Sequence, residues 1–355
     1  MEIGIVGGGI NGLCCALLSA KKGHKVYLYE RDTLMSATSA NSSKLLHGGL
    51  RYLENKEFGL VRQSLCERDA WIKRAPNIAK PLRIVIPIYK NARRKSWMIA
   101  IGMYLYDHMT GASILPKAKK LTAQDIYKRD GFVNKTGLLG GYEFSDAQMD
   151  DYALGHWVAR QAVAHGVSIF EHTEIKTIDT NGHIMTVDGK TIAHDMILNV
   201  AGPWAEQLLT RSGVSTPYKL DLVRGSHLVL VRPCTQAYLL EIPGERRIFF
   251  VLPWKGKTLI GTTEKRQTLD NPVKCSSEER EYLLNAFSYY FPNSRPNVEE
   301  SFAGLRPLLL SAKDPNKATR EYAIYRTRKV VTVLGGKWTT AMALAEKVTK
   351  EYEYL

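Results

Sequence analysis

Residues 2–30 read EIGIVGGGINGLCCALLSAKKGHKVYLYE, and this stretch decides the fold class. Ile3, Ile5 and Val6 make the near-continuous apolar run of a strand buried on both faces. The turn Gly7-Gly8-Gly9-Ile10-Asn11-Gly12 satisfies G-x-G-x-x-G at Gly7, Gly9 and Gly12. Gly7 permits the tight turn, Gly9 lets backbone approach a pyrophosphate, and Gly12 lets helix and strand pack closely. A helix follows through Ala16, Leu17 and Leu18 to Gly23, and a second strand over 25–29 ends in Glu30. The helix N-terminus offers free N–H groups and a positive dipole end to phosphates. Glu30 stands where a carboxylate accepts from ribose hydroxyls. Strand, turn, helix, strand and acid in this order predict a dinucleotide-binding unit. The motif alone fits both FAD and NAD; its place so near residue 1 favours FAD.

The rest of the composition narrows the class. At 355 residues, with 45% apolar and 24% charged side chains, the chain suits two packed globular domains and not a disordered one. Five cysteines, without a C-x-x-C pair, predict a reducing compartment, no disulfide framework and no metal site. The net charge is +14, and its location matters. Residues 71–120 hold eleven Lys and Arg against one acid, Asp107, so the chain has one basic region. Such a region faces nucleic acid, anionic lipid or an anionic substrate. Nucleic acid is disfavoured, because no finger, basic zipper or glycine-aromatic RNA-binding pattern is present. The longest apolar run, 97–106, is too short to span a bilayer, and no secretory signal precedes the first strand. The expectation is a cytoplasmic protein, in solution or peripheral on the inner face of the cell membrane.

A second block, residues 42–54, reads SSKLLHGGLRYLE. It resembles the signature of the FAD-dependent glycerol-3-phosphate dehydrogenases, within the wider fold family of D-amino-acid and sarcosine oxidases. The resemblance continues down the chain through Asn199-Val200-Ala201-Gly202-Pro203-Trp204, Gly225-Ser226-His227, Gly261-Thr262-Thr263, Gly304-Leu305-Arg306-Pro307-Leu308, Thr319-Arg320-Glu321-Tyr322 and Gly335-Gly336-Lys337-Trp338-Thr339-Thr340. It departs from the family at Ala201, usually Thr, and at Glu264, usually Asp. Resembling bacterial members also continue into a further helical domain beyond the Gly-Gly-Lys block.

The resemblance implies a flavin site. Ser42 and Ser43 would donate to the pyrophosphate. Gly48 and Gly49 would let backbone approach the ring, with His47, Arg51 and Tyr52 beside it. Gly202 would lie on the adenosine and pyrophosphate side. Around Gly335 and Gly336 a strand turns into a helix beginning near Lys337, whose N–H groups, with Lys337 and Thr339, would face the flavin edge where charge appears on reduction. Arg306, in an apolar frame, needs an anion. With Arg51, Tyr52 and Arg320 it would bind a phosphate dianion. His227 opens an apolar strand; imidazole suits an alcohol proton near neutral pH. Each has a plain alternative: a structural salt bridge for the arginines, a packed strand-end histidine for His227, a solvated lysine for Lys337. Asp150 and Asp151 read as helix caps.

The implied architecture is α/β, α+β overall: a Rossmann-like FAD domain (1–78, 145–212 and 325–355) interleaved with a substrate domain (79–144 and 213–324). Strands near 82–88, 226–231, 237–242, 247–252 and 257–262 would form its antiparallel sheet, with a helix near 277–291 on one face. The implied chemistry is oxidation of sn-glycerol 3-phosphate to dihydroxyacetone phosphate, with hydride passing to flavin and electrons onward to quinone or another acceptor. A same-fold oxidase using oxygen, acting on glycerol 3-phosphate or on an amine, is the alternative. Arg93, Arg94 and Lys95 before the apolar run 97–106 suit an anionic membrane surface; a core helix with solvated charges is the competing reading.

Overall fold

The computed structural model describes every residue except 55, 110–112, 311–317, 320–321 and 354–355; the side chains of Arg51 and Tyr52, like the whole of Arg320, lie outside the described residues. The strand Glu2–Val6 pairs in parallel with Lys25–Tyr29 on one side and Met196–Asn199 on the other. Val330–Gly335 extends this sheet in parallel, and Tyr322–Thr327 closes it by an antiparallel hairpin. Ser168–Phe170 forms the far edge beside Lys25–Tyr29.

The helix Ile10–Lys21 lies against this sheet and contacts the helices Asp151–Ala164 and Ala341–Lys350. Cys14, Cys15, Leu13 and Ala16 are buried there, which explains its almost wholly apolar sequence. Gly23, at φ +83°, ends the helix in the left-handed conformation glycine tolerates, and the His24 N–H returns to the Ser19 carbonyl. The free thiols of Cys14 and Cys15 are pushed up by burial and act as small apolar groups.

The second sheet is eleven-stranded among the described residues. Its centre joins Val298–Leu310, Leu220–Leu230, Lys257–Gly261, Ile248–Trp254 and Ala237–Glu241 in antiparallel order. The expected sheet differs at one seam: Ala237–Glu241 runs parallel to Ala79–Tyr89. That arrangement needs no tight turn between them, because the two strands are far apart in sequence. The helix Ser277–Tyr290 covers one face through Leu283 and Phe287 and begins with a capping box between Ser276 and Glu279. The expected boundary between residues 144 and 145 falls inside the strand Leu138–Met149, which pairs with Ala79–Tyr89 along its whole length.

The helix expected to begin near Lys337 is present and is entered through a 3-10 turn. Lys337 is extended, Trp338–Thr340 is a 3-10 turn, and the α-helix begins only at Ala341. Thr38 Oγ1 donates to the Leu305 carbonyl at 2.8 Å, and Trp338 Nε1 to the Ser39 carbonyl at 2.9 Å. These bonds tie the segment after the second strand to the second sheet and to the Gly-Gly-Lys turn.

Candidate active site

One deep cleft runs between the two sheets. It starts at Glu30, passes Gly7, Gly9 and the first helix, and ends where Ser43, His47, Lys337, His227 and Arg306 meet. Beside the glycine turn the cleft is shaped by missing side chains. A Cβ on Gly7, whose φ is +115°, would lie 2.6 Å from the Val200 carbonyl oxygen, and one on Gly9 would lie 2.9 Å from Ser39 Oγ. Gly12 faces away from the cleft; its Cβ would be 1.9 Å from the Gly7 oxygen, so it serves helix–strand packing. The Ile10 N–H, at the helix start, donates to Ser39 Oγ at 3.0 Å. Asn11 Oδ1, buried in the same wall, has no hydrogen-bond partner among the described residues.

Glu30 lines the cleft while accepting from the Gly8 N–H at 2.6 Å and the Asp32 N–H at 3.0 Å. A carboxylate has about four acceptor positions, so capacity for ribose hydroxyls remains. Arg31 stacks 4.0 Å over the Trp204 ring, and Gly202, at φ +56°, lies in the same wall.

The two serines have protein partners that sequence reasoning did not give them. Ser42 Oγ donates to Asp151 Oδ2 at 2.7 Å, and Ser43 Oγ lies 2.8 Å from His227 Nε2. Asp150 alone is the helix cap, accepting from the Ala153 N–H at 3.0 Å. Asp151 instead is wholly buried and holds Ser42 and the Lys44 ammonium, the latter at 2.7 Å. A tandem Asp-Asp was the available signal, because a helix has only one N-cap position.

Gly48 and Gly49 are not among the residues that line the cleft. Gly48 sits behind it, against Leu65 and Tyr106, where a Cβ would lie 2.4 Å from Leu65 Cδ2. Gly49, at φ +80°, makes the turn into the helix Arg51–Glu54. His47 does line the cleft, and its N–H donates to Thr339 Oγ1 at 3.3 Å. Lys337 is nearly buried, donating to the His47 carbonyl at 2.7 Å and to Ser64 Oγ at 3.2 Å. Gly335 and Gly336, at φ +88° and +104°, turn the backbone so that this lysine enters the cleft.

His227 is buried and stacks on Phe302 with centroids 4.9 Å apart. Burial first, then Arg306 and Lys44, hold its imidazole well below the usual histidine value, so it is neutral at pH 7. Arg306, half-buried, donates from Nη2 to Thr262 Oγ1 at 2.6 Å. Gly225 makes room for it: a Cβ there would lie 2.0 Å from that nitrogen.

A family model described as FAD dependent oxidoreductase matches residues 2–351. The chain belongs to this family. It is 35% identical over 377 residues to the glycerol-3-phosphate dehydrogenase of Pseudomonas aeruginosa, covering 99% of this chain and 71% of that one. It is equally 35% identical, over 368 residues, to the D-erythritol 1-phosphate dehydrogenase of Brucella abortus, covering 98% of this chain and 72% of the relative. Among solved structures, the glycerol-3-phosphate dehydrogenase from Bacillus halodurans complexed with FAD superposes with a TM-score of 0.78 at 25% identity, covering 99% of this chain and 64% of that one. The cleft fits the cofactor of this family of flavoenzymes: glycine-lined where a pyrophosphate needs backbone, and carrying an unsatisfied acceptor at Asn11.

Proposed function

We propose that the enzyme oxidises the secondary hydroxyl of sn-glycerol 3-phosphate, giving dihydroxyacetone phosphate. The observation that carries this reading is the meeting of Arg306 and a neutral, buried His227 on the cleft wall opposite the glycine turn. Glycine turn, Asn11, Glu30, Gly202 and the Gly335–Thr339 segment would hold FAD, which supplies the hydride-accepting ring when bound. Arg306 presents a planar fork to the phosphate dianion, and Thr262 orients it. Arg51, Tyr52 and Arg320 complete the phosphate site in this reading. His227 takes the hydroxyl proton; a neutral imidazole is the form that can accept it. Ser43 Oγ, 2.8 Å from His227 Nε2, holds the ring in place. Lys337 would supply a positive charge that favours the reduced, more negative flavin when the cofactor is bound. Residues 1–78, 145–212 and 325–355 form the cofactor domain in this assignment, and 79–144 and 213–324 the substrate domain.

Electrons would then pass to a quinone or another acceptor, with the protein peripheral at the cytoplasmic face in this reading. No helix among the described residues is long and apolar enough to cross a membrane. The helix Ser96–His108 buries only Met103 and Tyr106, whereas Trp97, Ile101 and Tyr104 are 65%, 52% and 64% exposed along one face. That is an interfacial pattern and favours the surface reading over the core-helix reading. Arg93 and Lys95 beside it are exposed. Arg94 is not available to lipid: Glu241 Oε1 takes its Nη1 at 2.8 Å, and Glu54 binds the rest of the guanidinium.

Anaerobic titration of the FAD-loaded enzyme, followed by flavin absorbance, tests the proposal. Glycerol 3-phosphate should bleach the flavin, and glycerol and glycine should not. D-Erythritol 1-phosphate is the discriminating arm: preferential reduction by it would reassign the substrate while keeping the phosphate site. Equal reduction by glycine would move the enzyme to the amine oxidases.

A further inference from the structure

The peptide unit joining His47 to Gly48 is gripped from both sides. Its carbonyl accepts from the Lys337 ammonium at 2.7 Å, and His47 and Lys337 both line the cleft. Its N–H, on the far side, donates to the Tyr106 hydroxyl at 2.9 Å and to Asp146 Oδ1 at 3.3 Å. Tyr106 in turn donates its own proton to Asp146 Oδ1 at 2.7 Å. Asp146 is buried and receives Arg68 Nη1 at 3.1 Å, while Arg68 also binds Asp69 at 2.7 Å. A peptide is planar, so an N–H fixed on one side fixes the direction of the C=O on the other.

We propose that Tyr106, backed by Asp146, is a positioning residue for the Lys337 ammonium in the flavin cleft; the proposal rests on the role given to Lys337 above. The chain Asp146 carboxylate, Tyr106 hydroxyl, peptide N–H and C=O, Lys337 ammonium runs head to tail from a negative to a positive end. Hydrogen bonds aligned this way polarise one another. Nothing else about Tyr106 requires a hydroxyl: its ring packs edge-on against Phe144 with centroids 5.8 Å apart, which phenylalanine would do equally well. The hydroxyl is fully committed, accepting from Gly48 and donating to Asp146. Burial pushes its ionisation far up, so it stays protonated and remains a donor. Neither Tyr106 nor Asp146 is among the cleft's lining residues, and they act through one peptide plane.

The test is a double-mutant cycle on the midpoint potential of the bound flavin, with FAD affinity measured beside it. Lys337→Met should make the flavin harder to reduce. Tyr106→Phe should shift the two-electron potential the same way by at least tenfold in the reduction equilibrium, about 30 mV. In the Lys337→Met background, Tyr106→Phe should shift it no further. Asp146→Asn, which keeps an acceptor for the tyrosine, is the parallel variant, with a smaller shift and the same non-additivity. Shifts that add across the cycle overturn the proposal, as does a Tyr106→Phe enzyme with an unchanged potential. Loss of FAD from both Tyr106→Phe and Asp146→Asn while Lys337→Met retains it also overturns it, since the pair would then hold the fold and not the ammonium. A Lys337→Met enzyme with an unchanged potential removes the Lys337 reading itself, a failure separable from the others.

Discussion

Asp151→Asn is the substitution whose cost the structure specifies best. Asp151 Oδ1 binds the Lys44 ammonium at 2.7 Å and the Tyr152 N–H at 2.9 Å; Oδ2 binds the Ser42 N–H at 3.1 Å and its hydroxyl at 2.7 Å. Both charges are almost wholly buried. Burial pushes the Asp151 carboxyl up even against Lys44, so the pair is not a net gain over two solvated charges. Removing one partner is another matter, because it leaves a buried ammonium without a counter-charge. Such a break costs about 3–5 kcal/mol. The low end applies here, because the Ala40 carbonyl at 2.6 Å and the Phe302 ring at 4.9 Å stay with Lys44. Lys44 also sits at φ +60°, a conformation a non-glycine residue holds only when its surroundings insist.

At about 2.1 cal/mol/K of unfolding entropy per residue, 3 kcal/mol corresponds to a loss of about 4 °C in Tm for a chain of this length. Thermal unfolding at fixed, saturating FAD is the assay, because bound cofactor itself raises Tm. Lys44→Met combined with Asp151→Asn should recover part of the loss, as no charge is then stranded, with a coupling of at least 1 kcal/mol. An Asp151→Asn enzyme within 1 °C of the parent, or double-variant losses that simply add, would refute the account (both thresholds are about what the assay resolves).

Three further outcomes follow from the geometry. Because burial and neighbouring cations depress His227, kcat/KM should show no loss assignable to it as pH falls from 8 to its ordinary value near 6.5, with decline only below; an acid limb at or above that value would contradict a neutral base. The same depression means folded protein binds fewer protons at this site, so its share of stability is present above about pH 6.5 and lost as pH falls below. Gly225→Ala should displace the Arg306 guanidinium and reproduce Arg306→Ala, raising KM for glycerol 3-phosphate about tenfold or more with FAD retained; unchanged KM in steady-state assays would take Arg306 out of the phosphate site. The enzyme should co-sediment with anionic but not neutral liposomes, less so in high salt and after Arg93→Gln with Lys95→Gln, whereas binding indifferent to lipid charge and salt would discard the surface claim.

The first 30 residues announced their structure because every local signal agreed. Apolar strand, glycine turn, apolar helix and Gly23 cap each favour the same conformation, and the observed elements fall where those signals place them. The second sheet was legible as strands but not as a pairing scheme. Nothing in alternation along 237–242 tells a parallel partner from an antiparallel one, and Ala79–Tyr89 is its neighbour only through tertiary packing. The exposed face of Ser96–His108 was ambiguous for a similar reason: a ten-residue apolar run reads alike whether buried or interfacial, and only its surroundings distinguish the two.

For the cleft, residue identity was more legible than residue partnership. Gly7, Gly9, Glu30, His227, Arg306 and Lys337 do converge, from segments up to 330 positions apart. What single residues could not disclose is what holds each of them. Gly48 carries two glycine-specific arguments, open access for a ring or close packing against a neighbour, and the sequence supports both. In the structure Leu65 and Tyr106 stand where a Cβ would lie, which meets the packing argument. Asp151 is the converse: a residue type at home in a first helical turn, put to work on Ser42 and Lys44 more than 100 positions away. Local propensity accounts for one Asp at a helix start, so only the doubling of the Asp hints at a role beyond the cap. Supporting residues of this kind satisfy a local rule and a distant one at once, and only the distant partner, seen in the fold, separates a cap from an anchor.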